Sequence, residues 1–439
     1  MTGAPFRRYA AAVAALFALA WAVGAGLGPY AVGDSEQYLR QAENLEAGRP
    51  PYAQDWSAPR DSIQFTLRPP GYAAVLVAAR AVSRDVRWIA ALQSALGAGT
   101  WALVWMTLAA VGAERRPGPL VVGLVATPAT LVYAQTAMAD TLFAGFVTAA
   151  LWRWAAFVRD GHAREIVAAH ALVAVALWVK PVVLYLWPGT LALSAWALWR
   201  RGRRGAGLAP ALSAGLVPLA ALALMALNAT WTGRAEVSSI QTLNLVEVNA
   251  QRTLARTGEQ DAYDRAAARA AAIPAYADRQ AWRQAWAVRA IRDRAGAYAA
   301  VHATGVAAFF LDPGRFDLAL FLGLDSDGGA MAAASRAGPA GALAVLRRQP
   351  PALLVALAAL LALNAAVAVA FLAWTVWGAA PLELRVAALG LVAYVALVTG
   401  PVGAARYRLA VAPILALALP WAWAALRPPR PDADRPRAV

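Results

Sequence analysis

Long apolar runs, uncharged but for Arg153, alternate with short basic connections along most of this 439-residue chain. Ten such runs stand out: 9–33, 88–113, 117–139, 141–158, 166–179, 181–199, 205–233, 349–382, 386–405 and 409–426. A helix needs about 20 mainly apolar residues to cross a bilayer. The pattern therefore predicts an all-α polytopic membrane protein of about ten transmembrane helices. The run 166–179 is short, and Lys180 extends it by snorkelling. The run 9–33 follows Arg7 and Arg8 and exceeds the core of a secretory signal, so it reads as an anchor. Two stretches break the pattern. In 34–87, "GDSEQYLRQAENLEAGRPPYAQDW" sets Asp34, Tyr38 and Gln41 or Ala42 at helical spacing, and Gly48, Pro50 and Pro51 end that helix. An amphipathic helix lying along the membrane surface follows. "LRPPGYAAVLVAA" is too short to span and is expected to re-enter or skim the bilayer. The stretch 234–348 is rich in Arg and Ala and mostly helical in pattern. Trp282 and Trp286 share a face, as do Tyr298, His302, Gly305 and Phe309, and "FFLDPGRF" turns at Pro313 and Gly314.

Composition agrees: 60% of residues are apolar and only 15% charged, against about 45–50% and about 25% in soluble domains. The formal charge of +15 reads in so apolar a chain as orientation in a bilayer, and no nucleic-acid partner is expected. Arg7 and Arg8, Arg115 and Arg116, Arg159 and Arg164, Arg200, Arg201, Arg203 and Arg204, Arg385, and the tail residues Arg427, Arg430, Arg435 and Arg437 all fall on one side of the ten-span scheme. That side is the cytoplasm by the positive-inside rule, with both termini inside. The chain then divides into a first span (1–33), a first outer loop (34–87), spans two to seven (88–233), an outer helical segment (234–348), spans eight to ten (349–426) and a basic cytoplasmic tail (427–439). No cysteine is present, which excludes disulfides, thiolate metal sites and a cysteine nucleophile. His162, His170 and His302 are scattered, and His302 reads as a packed or interfacial side chain. Of the 40 basic residues only Lys180 is lysine, so Arg counts reflect coding bias and carry no function by themselves.

Five stretches, in order, carry a resemblance: "GDSEQYLRQAENLEAG", "RPPGY", "YAQTAMADTLF", "WVKP" and "ARYRLAVAPILALALP". Each falls on the outer side of the predicted spans. Together the set resembles the GT-C membrane glycosyltransferases, in particular the family of protein O-mannosyltransferases and lipid A aminoarabinose transferases. The resemblance implies a hexosyl- or pentosyltransferase of the bacterial inner membrane, with its site facing the exterior. Its expected partners are membrane lipids, a polyprenyl-phosphate sugar donor, and a glycan, lipid or protein acceptor. Many relatives carry adjacent acids in the first outer loop, whereas here Ser35 separates Asp34 from Glu36.

Such a transfer breaks the bond between an anomeric carbon and a phosphate oxygen. It needs a base for the acceptor proton and positive charge for the departing phosphate. The expected base is Asp34, with Glu36 as substitute; the plain alternative is that these acids cap the surface helix. Arg406 and Arg408, flanking Tyr407, fit phosphate oxygens, or else anchor the chain at the interface. Lys180 is a snorkelling anchor or a donor contact, and Arg68 shapes its loop or touches phosphate. Asp140 caps a helix, orients the sugar, pairs with Lys180 or an Arg, or joins Asp34 around a divalent cation; ionisable groups at this depth are rarely idle. Tyr38 supports the site. No cofactor is assigned, a divalent cation is compatible, and inversion at the anomeric carbon is the expected outcome. A transporter or flippase would gather polar residues near the bilayer midplane, and an O-antigen polymerase or ligase would rely on outer-loop Arg and His.

Overall fold

Helices make up most of the computed structural model, which describes residues 3–27, 31–202, 209–322, 340–341, 343–345, 347 and 350–427. Among these described residues there is no strand. Arg203, Arg204, Arg430, Arg435 and Arg437 lie outside them, as do parts of the expected first span, outer segment and tail. The chain opens with α1 (Ala4–Leu27) and continues through α2 (Ser35–Glu46), α3 (Gly71–Arg80) and α4 (Val86–Ala110). Next come α5 (Pro117–Val125), α6 (Ala129–Tyr133), α7 (Asp140–Asp160) and α8 (Ala163–Val179). Then follow α9 (Pro181–Arg200) and α10 (Pro210–Thr232). After a π-helical stretch (Asn244–Ala250) stand α11 (Gln251–Thr257), α12 (Gln260–Ala271), α13 (Tyr276–Arg292), α14 (Ala295–Leu311) and α15 (Arg315–Phe321). The last four are α16 (Pro351–Trp377), α17 (Leu382–Thr399), α18 (Ala405–Arg408) and α19 (Ala412–Ala425).

Seven of the described helices are long and apolar enough to cross a membrane: α1, α4, α7, α9, α10, α16 and α17. The other three apolar runs take different forms. Run 117–139 is cut into α5 and α6 by Thr127 and Pro128, because proline lacks a backbone donor and disfavours helix in the residue before it. Run 166–179 becomes the 17-residue α8. Run 409–426 is interrupted by 3-10 geometry between Pro413 and Pro420, and Leu409–Ala418 is buried throughout. That last segment serves as core: Leu415 and Leu417 belong to the main apolar cluster with Leu120, Leu124, Trp101 and Phe143.

α7 packs between α4 and α8, and α1 packs on α4. The two ends of α7 differ sharply in chemistry. At its C-terminal end Arg159 meets Asp160, and nearby Arg200 and Arg201 approach Glu383 at 3.9 and 3.5 Å. Its first residue, Asp140, meets Lys180 at the end of α8. The Arg-rich connections and the Asp140 group thus occupy opposite ends of one helix.

α2 forms as its pattern predicts. Tyr38, Gln41 and Ala42 are buried, and Gly48, at φ +70°, follows its last turn. Its buried face packs on α3, the short helix of "RPPGYAAVLVAA". Gly71 starts α3 against the Trp178 carbonyl, where a Cβ would clash with backbone. This close approach sets Arg68 in the lining of the same cavity as Lys180, two residues beyond Trp178. Gln41 Nε2 donates to the carbonyls of Arg68 and Pro51 at 2.8 and 3.1 Å, and Ser238 and Ser239 donate to those of Leu67 and Ile63. The loop carrying Arg68 is held from both sides.

A second close approach joins α14 to the turn before α18. A Cβ on Gly305 would overlap the Gly400 carbonyl, and one on Gly403 would overlap the Gly305 carbonyl. Gly305→Ala is therefore expected to cost about 1–3 kcal/mol of stability, as overpacking does. Thermal unfolding in detergent checks this, and a melting temperature equal to wild type would mean that the contact yields freely.

Candidate active site

Asp34 occupies the N-cap position of α2, yet its carboxylate makes no capping hydrogen bond. Its Oδ1 lies 2.7 Å from Arg68 Nη2, and its Oδ2 accepts from Arg406 Nη2 at 2.8 Å, across 372 positions of sequence. Asp140 behaves alike. It is the first residue of α7, where a carboxylate favours the helix dipole, but its oxygens turn to cations: Oδ1 is 2.7 Å from Lys180 Nζ, and Oδ2 is 3.3 Å from Arg406 Nη2. Lys180 is extended ahead of Pro181, as a residue before proline prefers, and this ends α8 with the ammonium facing Asp140. Arg68 donates from Nε to Gln37 at 2.8 Å and lies 5.7 Å from the ring centre of Tyr38. Arg406 sits against the rings of Tyr133 and Tyr407, at 5.3 and 5.9 Å.

Asp34, Tyr38, Arg68, Asp140, Lys180, Arg406 and Tyr407 all line one cavity of about 750 Å³. Two carboxylates face three cations in its charged group, leaving one positive charge in excess. An Arg flanked by carboxylates in a partly desolvated site stays ionised and offers planar, paired donors. Burial raises the Asp34 carboxyl most, yet the charges of Arg68, Arg406 and Lys180 together outweigh it and hold the group below its usual range. Burial pushes the Tyr38 phenol up to about 12, so it remains protonated at neutral pH. Because the folded-state pKa of Asp34 is depressed, its stabilising effect is present above about pH 4, the unfolded aspartate value, and fades as pH falls through the lower folded value. Melting curves should therefore show the gap between wild type and Asp34→Asn constant above about pH 5 and closing in acid. A gap that widens toward low pH would contradict the ion pairing.

Two expected residues lie outside this group. Glu36 is exposed and its charged partner among the described residues is Arg40, at 3.8 Å, because one residue past Ser35 the helix has turned it to solvent. Arg408 points away from Arg406 and is buried. It donates to the carbonyls of Phe309, Phe310 and Asp312 at 3.1, 2.6 and 2.9 Å, satisfying the orphan end of α14. Asp312 closes the same joint by accepting from Ala405 N at 2.9 Å. Arg408 is thus placed as a clamp between α14 and α18, with its donors turned from the cavity. His302 packs edge-on against Tyr298 beneath Gly400.

The pattern reading missed Tyr133 and Asp317. Tyr133 OH donates to Asp317 at 2.7 Å, and burial pushes that carboxyl up to about 6. Tyr133 opens the stretch "YAQTAMADTLF", so one signal for it was present; Asp317 is an isolated acid between apolar residues. Among the described residues no group of three or more acids or histidines gathers as metal ligands do.

No family model matches the sequence, and no curated protein matches it. Two solved structures resemble the chain, both of ArnT from Cupriavidus metallidurans. One, bound to undecaprenyl phosphate, is 17% identical, with 93% of this chain and 76% of that one covered and a TM-score of 0.39. The other, in the apo state, is 17% identical, with 92% and 76% covered and a TM-score of 0.36.

Proposed function

We propose that this chain is a membrane glycosyltransferase that moves a sugar from a polyprenyl-phosphate donor to an acceptor hydroxyl, with inversion, on the outer face of a bacterial inner membrane. The observation that carries this reading is the meeting of Asp34 with Arg406, Arg68, Asp140 and Lys180 in one cavity. A sugar phosphodiester carries one negative charge, which matches the single positive excess of that group. Val182, Leu184, Met225, Val395 and Val398 line the same cavity and suit a polyprenyl chain beside the phosphate. The outer orientation is supported by the position of this group at the end of α7 opposite the Arg-rich connections.

In the proposed reaction the donor phosphate draws Arg406 and Arg68 from Asp34, leaving the carboxylate free to accept a proton. The acceptor oxygen attacks the anomeric carbon from the face opposite the phosphate. A carbon–oxygen bond forms there as the bond to the phosphate oxygen breaks, its electron pair leaving with the phosphate and the hydroxyl proton passing to Asp34. Arg406, Arg68 and Lys180 stabilise the charge that grows on the leaving phosphate. Positioned base catalysis and preorganised positive charge are together the elements such a transfer needs.

Purified protein in liposomes, given radiolabelled polyprenyl-phosphate sugars and membrane extract, tests the proposal. Label is expected to move from the lipid to a new acceptor. Label that changes leaflet while remaining attached to the polyprenyl phosphate would instead identify a flippase.

A further inference from the structure

The cavity has a second end, built by the segment after α10 and chemically unlike the first. Gln241, Thr242, Asn244, Asn249 and Gln284 line it, together with Arg234 and Glu236. Its wall is the π-helical stretch Asn244–Ala250, a geometry rare in proteins and frequent at functional sites. Asn249 Nδ2 donates to the Asn244 carbonyl at 2.7 Å across the widened turn. The opposite side of the stretch is fixed: Val246 and Ala250 pack with Ala287 and Ala290 of α13, and Glu247 pairs with Arg283. The side chains of Asn244 and Gln241 have no hydrogen-bond partner among the described residues, and both face the cavity.

The charges at this end are spent on one another. Arg234 donates from Nε to Glu236 at 3.0 Å, from Nη1 to the Ala277 carbonyl at 3.1 Å, and from Nη2 to Gln284 at 3.2 Å. The other Glu236 oxygen accepts from Thr66 at 2.8 Å and from Tyr276. The other cations lining the cavity, Arg68, Lys180 and Arg406, are engaged with Asp34 and Asp140, so what faces a ligand beside Asn244 and Gln241 is amide and not free positive charge. Free amides, each both donor and acceptor, match a neutral polyhydroxyl compound, whose every hydroxyl also gives and takes hydrogen bonds. A protein acceptor would need a groove for extended backbone, and an anionic lipid acceptor would need a free cation.

We propose that the π-helical stretch and Gln241 form the acceptor subsite, and that the acceptor is a neutral carbohydrate. This rests on the sugar-transfer reading, which assigns the charged end to the donor. In that arrangement one acceptor hydroxyl reaches Asp34 while neighbouring hydroxyls bond Asn244 and Gln241.

Saturation-transfer NMR on the full-length chain in nanodiscs tests this with a panel of neutral arabino-, galacto-, manno- and gluco-oligosaccharides, lipid A, and a Ser/Thr-rich peptide. Binding of undecaprenyl phosphate is followed in parallel. Wild type is expected to bind at least one neutral oligosaccharide, and Gln241→Ala/Asn244→Ala to bind it about 10-fold or more weakly, the loss set by two or more hydrogen bonds. The same double variant is expected to bind undecaprenyl phosphate as wild type does, which reports an intact fold. Binding of lipid A or the peptide alone, no neutral oligosaccharide bound, or equal affinity in wild type and variant would each overturn the subsite. Loss of undecaprenyl phosphate binding by wild type would overturn the donor reading instead, whatever the oligosaccharide result.

Discussion

Asp34→Asn is expected to lower the rate of sugar transfer by about 10²–10⁴-fold, the range a positioned general base contributes. The substitution keeps the size and one acceptor oxygen of the side chain but removes its proton affinity. Undecaprenyl phosphate binding should persist or tighten, since the variant frees Arg406 and Arg68 from a competing carboxylate. The combination of lost turnover and retained lipid binding separates a base from a structural strut. An Asp34→Asn protein with wild-type turnover would remove this residue from the chemistry, and Asp140 is then the remaining acid in the charged group.

Arg406→Ala carries the second large effect. This guanidinium is the joint of the group: it touches Asp34 and Asp140 together while resting on Tyr133 and Tyr407. Truncating one partner of a desolvated charge pair costs about 2–5 kcal/mol in binding, so undecaprenyl phosphate affinity is expected to fall about 30-fold or more. Arg406→Lys should recover little of it, because one ammonium on a flexible stem does not reproduce a planar fork. Arg408→Ala serves as the contrast. It should lower the melting temperature by leaving three carbonyls without a donor, while folded protein keeps its lipid affinity. Lipid affinity lost in Arg408→Ala but kept in Arg406→Ala would reverse the two assignments.

The helical architecture was legible because apolar runs write it directly, and so was the short surface helix, through Tyr38, Gln41 and Ala42 at its buried face. The five stretches that carry the resemblance held the few charged residues expected on the outer side of the spans. Asp34, Arg68, Asp140, Lys180 and Arg406 could therefore be picked out, although nothing local says that they meet. The side each faces was less legible. Arg406 and Arg408 lie within one helical turn yet bond different partners, and the carbonyls of Phe309, Phe310 and Asp312, 96 to 99 positions earlier, decide which is which. The number of long helices depends on what proline does in context. Pro128 breaks a run and Pro413 and Pro420 interrupt another, whereas Pro218 stands in the first turn after the 3-10 turn Ser213–Gly215 of α10, where its missing donor is tolerated. The π-helical turn has no periodic signature, since its residues keep an ordinary helical composition.

The bonds of Arg408 to the carbonyls of Phe309, Phe310 and Asp312 fix the chain after Arg406, and the Ala405–Asp312 bond with the glycine contact between Gly305 and Gly403 fixes it before. A side chain tethered at both flanks can change allegiance only by rotating about its own bonds. Handing Arg406 from carboxylate to phosphate is therefore a rotamer exchange within a stationary frame, and it calls for no loop to swing.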